Sequence, residues 1–196
     1  MEKETRARSE RSLWPRYLVF ILTALFVLGC LGESAAATLA DNPYPLPAGC
    51  LAVNPSGDPD TIHHLYFPRT VPEYCIPVVQ QPEGDYGFVS DDPYSLTQYE
   101  FVKRDHVVWL LAHRQSGGPY FSESAIGDPV ITINGDNKAT YYLISGQVEY
   151  PAPEDPAVGN AIVQRLKKNR LVLQTCSGED EENRLFLIGS LALAAP

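Results

Sequence analysis

The chain has 196 residues, the length of one domain with an accessory segment. Hydrophobic residues make up 44% and charged residues 20%, which excludes a long disordered chain. The 17 prolines and 14 glycines exclude a coiled coil or helical bundle and favour a turn-rich β domain. Residues 1–40 hold five of the 15 basic side chains and four of the 24 acidic ones. Residues 41–196 therefore carry 10 basic and 20 acidic side chains. Because this acidic domain repels phosphates, nucleic acid is not an expected partner.

The first 40 residues have the pattern of an export signal. Five basic side chains precede an uncharged apolar run at residues 17–32, an order that keeps the N-terminus in the cytoplasm. We therefore expect a single-pass membrane protein whose following domain is extracytoplasmic. The run is shorter than the roughly 20 residues of a typical span, so three fates stay open. They are a retained signal-anchor, cleavage at the A-x-A sequence of residues 35–37, and lipidation at Cys30.

Residues 41–61 contain five prolines among turn-forming residues, which predicts a semi-rigid stalk before a domain at residues 62–196. Outside the cytoplasm Cys50 and Cys75 could pair, closing a loop worth about 3 kcal/mol, although sequence alone leaves that pairing open. Cys176 then has no partner and is either a buried, inert thiol or a nucleophile. The absence of CxxC and CxxH spacings disfavours a zinc site.

The domain is predicted to be mainly β. Eight runs have strand length, β-branched or aromatic content and turn residues at their ends. They are residues 64–67, 75–79, 86–89, 107–112, 130–133, 140–145, 171–175 and 185–191. Short helices are expected at residues 95–101 and 157–166. Eight strands in so short a domain predict a closed or nearly closed β-barrel, since closure removes the exposed sheet edges.

Three polar side chains lie at predicted strand ends. His113 ends an apolar strand, Cys176 ends another, and Arg184 opens the last one after an acidic loop. A thiolate is a nucleophile, a neighbouring histidine can take the thiol proton, and an arginine can stabilise a developing oxyanion. Together they suit acyl transfer. The alternatives are a core cysteine, a hydrogen-bonded structural histidine and an arginine paired with the acidic loop.

The segments that carry these residues resemble the sortase family. LVLQTC, followed by a step of eight residues to Arg184 and by RLFLIGSL, resembles the Leu-x-Leu-x-Thr-Cys…Arg pattern of sortases. LLAHRQSGGPYF resembles the histidine segment of the family, and IGDPVITINGDNKATYYLI resembles its Gly-Asp strand pair. The resemblance covers residues 62–196 and is most specific in the second half. It implies an eight-stranded sortase-like β-barrel.

The resemblance also implies roles for individual residues. Cys176 would be the nucleophile, His113 the general acid and base, and Arg184 the group that orients substrate or stabilises the oxyanion. Thr175 and Ala112 would be substrate-binding positions. Ala112 stands where the family usually has glycine, and the loop before Arg184 is short and acidic, so the subclass and the recognised motif stay open.

The implied activity is that of a membrane-anchored cysteine transpeptidase. Sortases cleave a sorting signal such as Leu-Pro-x-Thr-Gly after the threonine, form a thioester, and pass the acyl group to an amine. The expected partners are surface proteins with a C-terminal sorting signal and an amine of cell-wall precursor or pilin. We expect the loop at residues 151–169 to wall the substrate groove. The alternative is a catalytically inactive, anchored β-barrel that binds or scaffolds other envelope proteins.

We expect neither a metal nor a cofactor. Some sortases carry a calcium site, for which this chain offers four scattered carboxylates. They are Glu100, Asp105, Glu149 and Asp155. Scattered carboxylates are ordinarily solvated surface, so they do not predict a site.

Overall fold

The computed structural model describes residues 44–192, which form a closed barrel of eight strands with short helices between them. The strands are β1 (Ile62–Phe67), β2 (Val71–Gln80), β3 (Leu96–Gln98), β4 (Val108–Ala112), β5 (Pro129–Asn134), β6 (Ala139–Pro151), β7 (Leu171–Ser177) and β8 (Asn183–Leu191). The helices are a 3-10 helix (Glu100–Asp105), α1 (Gly118–Ser122) and α2 (Pro156–Leu166). This confirms the predicted fold class.

The predicted membrane segment at residues 17–32, with Cys30, lies outside the described residues. Within residues 44–192, no helix combines the length and the apolar character that crossing a bilayer requires.

Around the barrel the strands follow the order β1, β2, β3, β4, β7, β8, β6, β5, and β5 pairs with β1 to close it. The pairs β2–β3 and β4–β7 are parallel, and the others are antiparallel. Parallel pairing of β4 with β7 brings the ends of these two strands to the same end of the barrel. The start of β8 and the end of β6 lie at that end as well.

Seven of the eight predicted strands are present, with ends that differ by a few residues. The strand predicted at residues 86–89 is wrong. Successive turns occupy this stretch, since the N–H of Asp85 donates to Pro82 O and the N–H of Phe88 donates to Asp85 O. The Tyr86 ring is half exposed and packs edge-on against Phe101 instead of entering a sheet.

The remaining strand, β3, lies inside the helix predicted at residues 95–101, so that prediction is also wrong. Leu96, Thr97 and Gln98 are all buried because β3 is enclosed by β2 on one side and β4 on the other. The helical turn begins after it, at the 3-10 helix. The helix predicted at residues 157–166 is confirmed as α2, whose N-terminus is capped by the Asp155 carboxylate.

The two faces of the sheet bury different side chains. On β4, Leu110 and Ala112 point into the barrel core, whereas Trp109 and Leu111 point outward. The outward residues form a second cluster with α2, which packs on the outside of β4, β7 and β8 through residues such as Leu166. This outer face, at the strand ends, is where the polar residues of the site lie.

Residues 44–61, the described part of the predicted stalk, lie along the barrel. Cys50 is fully buried and forms a disulfide with Cys75 of β2, the pairing that the sequence left open. The Asn137 side chain accepts from the N–H of Ala52 and donates to its carbonyl. Covalent and hydrogen bonds thus fasten this segment to β2 and to the β5–β6 turn.

Candidate active site

Three polar side chains occupy neighbouring positions in a row across the sheet. Ala112, the last residue of β4, lies opposite Thr175 of β7. His113 therefore leaves the end of β4 at the level where Cys176 follows Thr175 on β7. Cys176 in turn lies directly opposite Arg184 of β8. The fold therefore brings together the three residues that the sequence singled out.

The row faces outward. Residues alternate between the two faces of a strand, and Leu171 and Leu173 point into the barrel core. Val172, which lies in the outer cluster beneath α2, has the same parity as Cys176. Cys176 is therefore on the outer face and half-buried.

Tyr150 extends the row by one strand. It pairs with Arg184 across β6 and β8, and its ring packs edge-on against Phe186. The Arg184 guanidinium donates to the backbone carbonyls of Glu181, at 2.9 Å, and Asn183, at 3.0 Å. These two bonds hold the Arg184 guanidinium against the end of the loop that joins β7 to β8. The sequence analysis did not find Tyr150, whose only signal was its place in an alternating strand.

Several charges act on the Cys176 thiol. Burial is the largest effect and raises its pKa, and the Glu181 carboxylate raises it further. The Arg184 and Arg114 guanidinium groups oppose this by favouring the thiolate. Since the net direction is upward, the resting thiol is protonated at neutral pH. A base is needed to activate it.

His113 begins a tight loop that leads from β4 into α1. Its carbonyl accepts from the N–H groups of Ser116, at 3.1 Å, and Gly118, at 3.0 Å, which fixes the backbone beside the imidazole. The Nε2 atom lies 3.5 Å from the carboxylate of Asp91, which is fully exposed in the β2–β3 loop. The imidazole itself is less than half exposed. Asp91 is a further neighbour that the sequence did not reveal.

Thr175 and Ala112, the predicted substrate-binding positions, lie one residue before Cys176 and His113. Both are buried, and Ala112 belongs to the barrel core. Among the described residues, the Thr175 hydroxyl has no hydrogen-bond partner. It faces Gly118, where an added Cβ would come within 2.6 Å of Oγ1. Both side chains are thus buried behind His113, Cys176 and Arg184, and their contact with substrate stays a prediction.

A cavity of about 390 Å³ opens beside Tyr150, in the segment predicted to wall a groove. It lies between the end of β6 and α2. Its lining residues are Tyr150, Pro151, Ala152, Pro153, Glu154, Val158, Ala161, Ile162 and Arg165. Apart from the charged groups of Glu154 and Arg165, these side chains are apolar or aromatic, so the cavity suits an apolar chain segment. The backbone N–H of Ala152 donates to Glu182 O, which ties this wall to the loop preceding Arg184.

Three of the four carboxylates considered for a metal site have separate partners. Asp105 pairs with Lys167 at 3.1 Å, and Asp155 caps α2. Glu149 accepts a 2.6 Å hydrogen bond from the Ser177 hydroxyl. In the part of the chain that the structure describes, no three His, Cys, Asp or Glu side chains are grouped as metal ligands would be.

The comparisons with known proteins rest on structure. No protein-family model matches the chain, and no curated protein matches its sequence. Among solved structures, sortase C1 from Streptococcus suis matches with a TM-score of 0.50 at 16% identity, covering 68% of this chain and 74% of that one. Sortase C-1 from Actinomyces oris matches with a TM-score of 0.50 at 12% identity, covering 70% and 76%. The chain therefore has the fold of the sortases.

Proposed function

We propose that this protein is a sortase-like cysteine transpeptidase. The observation that carries the proposal is the placement of His113 directly after β4, of Cys176 on the neighbouring strand β7, and of Arg184 opposite Cys176 on β8 of a sortase-fold barrel. A base, a nucleophile and a permanent cation in adjacent positions are the three groups that acyl transfer through a thioester requires. The same residues were selected from the sequence by their places at strand ends.

The first half of the reaction forms the thioester. His113 takes the Cys176 proton, and the sulfur attacks the carbonyl carbon of the threonine in the sorting signal. Arg184 donates to the oxyanion of the tetrahedral intermediate. When this intermediate collapses, the peptide C–N bond breaks and His113 gives its proton to the departing amine. A thiol whose pKa is raised by burial depends on such a base at neutral pH.

The second half transfers the acyl group. An acceptor amine attacks the thioester carbonyl, and His113 removes a proton from the attacking nitrogen. The C–S bond then breaks, the new amide leaves, and Cys176 is regenerated as a thiol. The acceptor is an amine of cell-wall precursor or pilin. A membrane anchor formed by residues 17–32 would hold the enzyme on the outer side of the cell membrane, where surface proteins with a C-terminal sorting signal are presented.

The apolar cavity beside Tyr150 supports a place for the donor peptide. Tyr150 is opposite Arg184, which is itself opposite Cys176, so the cavity lies next in line from the nucleophile. A leucine and a proline upstream of the scissile bond match its apolar lining. We therefore propose that the loop at residues 151–169, which contains α2, binds the sorting signal.

The test is to incubate the full-length chain with Leu-Pro-x-Thr-Gly-type peptides, with and without hydroxylamine, and to analyse peptide and protein by mass spectrometry. We expect cleavage after threonine, an acyl adduct on Cys176, and its release as the hydroxamate. Cys176→Ala should abolish the adduct, and His113→Ala should slow its formation by about 10²- to 10⁴-fold. His106→Ala is the matched control, because His106 lies before β4, at the opposite end of that strand.

A cavity variant separates binding from chemistry. Val158→Asp places a charge in the apolar lining, so adduct formation should fall while alkylation of Cys176 by iodoacetamide stays unchanged. Normal adduct formation in this variant would refute the proposed donor site. If no peptide of a sorting-signal library reacts and Cys176 also resists iodoacetamide, the protein is instead the inactive binding barrel.

A further inference from the structure

The loop between β7 and β8 is strongly acidic and directly follows the nucleophile strand. It contains four successive carboxylates, and two of its residues, Gly178 and Glu181, adopt positive φ angles of 86° and 59°. The four are Glu179, Asp180, Glu181 and Glu182. Left alone, this charge would disfavour a thiolate nearby. The β7–β8 loop is, however, held by side chains from residues 113–117, the segment between β4 and α1 that we call the histidine loop.

Arg114, the residue after His113, reaches across to the start of this loop. Its guanidinium donates to the carbonyl of Gly178 and, at 3.1 Å, to the carbonyl of Glu179. Gln115 adds a side-chain contact, because its Nε2 donates to the Glu181 carboxylate at 2.7 Å. Both bonds come from the same nitrogen, Nη1, so one end of the guanidinium binds two successive carbonyls of the loop.

Arg184 binds the other end of the same loop through the carbonyl of Glu181, and it also donates to the carbonyl of Asn183, the first residue of β8. Arg114, Gln115 and Arg184 therefore make four hydrogen bonds to this short loop. The charged groups that act on Cys176 come from three neighbouring elements. They are Arg114 after β4, Glu181 in the loop, and Arg184 on β8.

We propose that Arg114 is a positioning residue that fastens the acidic β7–β8 loop to the histidine loop and keeps a positive charge beside Cys176. This rests on the proposed function, in which Cys176 is the nucleophile. With the loop fastened, Arg184 is held opposite the thiol and the Glu181 carboxylate is held by Gln115. Without Arg114, the thiolate loses a favourable charge and the loop loses two of its hydrogen bonds.

The test measures the rate at which iodoacetamide alkylates Cys176 in the full-length chain as a function of pH. Peptide-resolved mass spectrometry distinguishes Cys176 from Cys30. In Arg114→Gln, we expect the apparent pKa of alkylation to move upward by about 0.5 to 1 unit, and the rate at neutral pH to fall about three- to tenfold. Arg114→Lys should recover at least half of the shift, because it restores the positive charge.

Lys138→Gln is the matched control, since it removes one positive charge from the exposed β5–β6 turn. Its profile should coincide with that of the unmodified chain. The proposal is overturned if the Arg114→Gln profile also coincides with it, if Lys138→Gln shifts as far, or if the lysine variant is no closer to the unmodified chain than the glutamine variant. Because alkylation needs no peptide, a failure of transpeptidation would not affect this result.

Discussion

Gly118 packs closely against the main chain of His113 and the side chain of Thr175. Its N–H donates to the His113 carbonyl, and a Cβ at this position would lie 2.8 Å from that carbonyl oxygen and 2.6 Å from the Thr175 hydroxyl. Glycine is required here by close approach, since its backbone lies against both the histidine loop and the nucleophile strand. One methyl group would therefore press on the carbonyl of His113 and on Thr175, the residue before Cys176.

We expect Gly118→Ala to lower the free energy of unfolding by about 1–3 kcal/mol, the usual range for overpacking, and to reduce adduct formation on Cys176. Urea unfolding and the peptide assay measure the two effects. Gly159→Ala is the contrasting variant, because Gly159 lies inside α2 and its nearest neighbour, Pro153 Cγ, is at 3.4 Å. Removing a helical glycine there should raise stability by about 0.5–1 kcal/mol. Equal effects from both substitutions would contradict this account.

At the scale of elements, the 44–61 segment is joined to the 3-10 helix through Asp58. Its carboxylate accepts from the Thr61 hydroxyl at 2.5 Å, from the N–H of Asp60 at 3.0 Å, and from Lys103 Nζ at 3.1 Å. The Thr61 bond contributes most, the Asp60 bond next, and together with Lys103 they lower the pKa of Asp58 to about 2. The carboxylate is nearly half exposed, so solvent weakens the effect on stability.

This shift gives a pH dependence of known sign. Because the folded chain lowers the pKa of Asp58, the ionised carboxylate stabilises the fold above the ordinary aspartate pKa, and the stabilisation disappears as pH falls towards about 2. The unmodified chain should therefore be more stable than Asp58→Asn by a constant amount above about pH 4. We expect the difference to shrink between about pH 4 and pH 2 in urea unfolding. A difference that is the same at both ends of this range would exclude the mechanism.

Patterns within single elements were the most predictable part of the fold. The seven strands found from sequence are long enough for the alternation of apolar and β-branched residues to be visible. β3 has only three residues, and they are buried because β2 and β4 lie on either side of it. The turns at residues 82–88 carry aromatic side chains that imitate a strand. A local pattern does not distinguish these cases, since the partners that decide them are distant in sequence.

The candidate site divides in the same way. His113, Cys176 and Arg184 were found because each lies where an apolar strand meets a polar loop. Arg114 and Tyr150 were not found, because their importance comes from register and from contacts across more than 30 residues of sequence. The pairing of β4 with β7 depends on how the whole barrel closes. The sequence of either strand alone therefore does not predict it.

At the scale of the whole molecule, the disulfide Cys50–Cys75 fastens the 44–61 segment to the barrel across a separation of 25 residues. A covalent loop of this size restricts the unfolded chain and is worth about 3 kcal/mol. The double substitution Cys50→Ala, Cys75→Ala should lower the free energy of unfolding by about 2–4 kcal/mol, measured in urea. Alkylation of Cys176 should keep its pH profile, because the disulfide joins β2 whereas the reactive row spans β4, β7 and β8. A shifted profile would show that the two regions are coupled.

Parallel pairing of β4 with β7 also determines when the reactive row can form during folding. His113 and Cys176 are 63 positions apart, and β5, β6 and α2 lie between them in the chain. Contacts of such long range come after local ones, because the entropy of closing the intervening loop has to be overcome first. We therefore expect Cys176 and His113 to stay apart in a newly made chain until β7 docks beside β4. In that case the proposed activity depends on assembly of the barrel, and the unassembled chain lacks it.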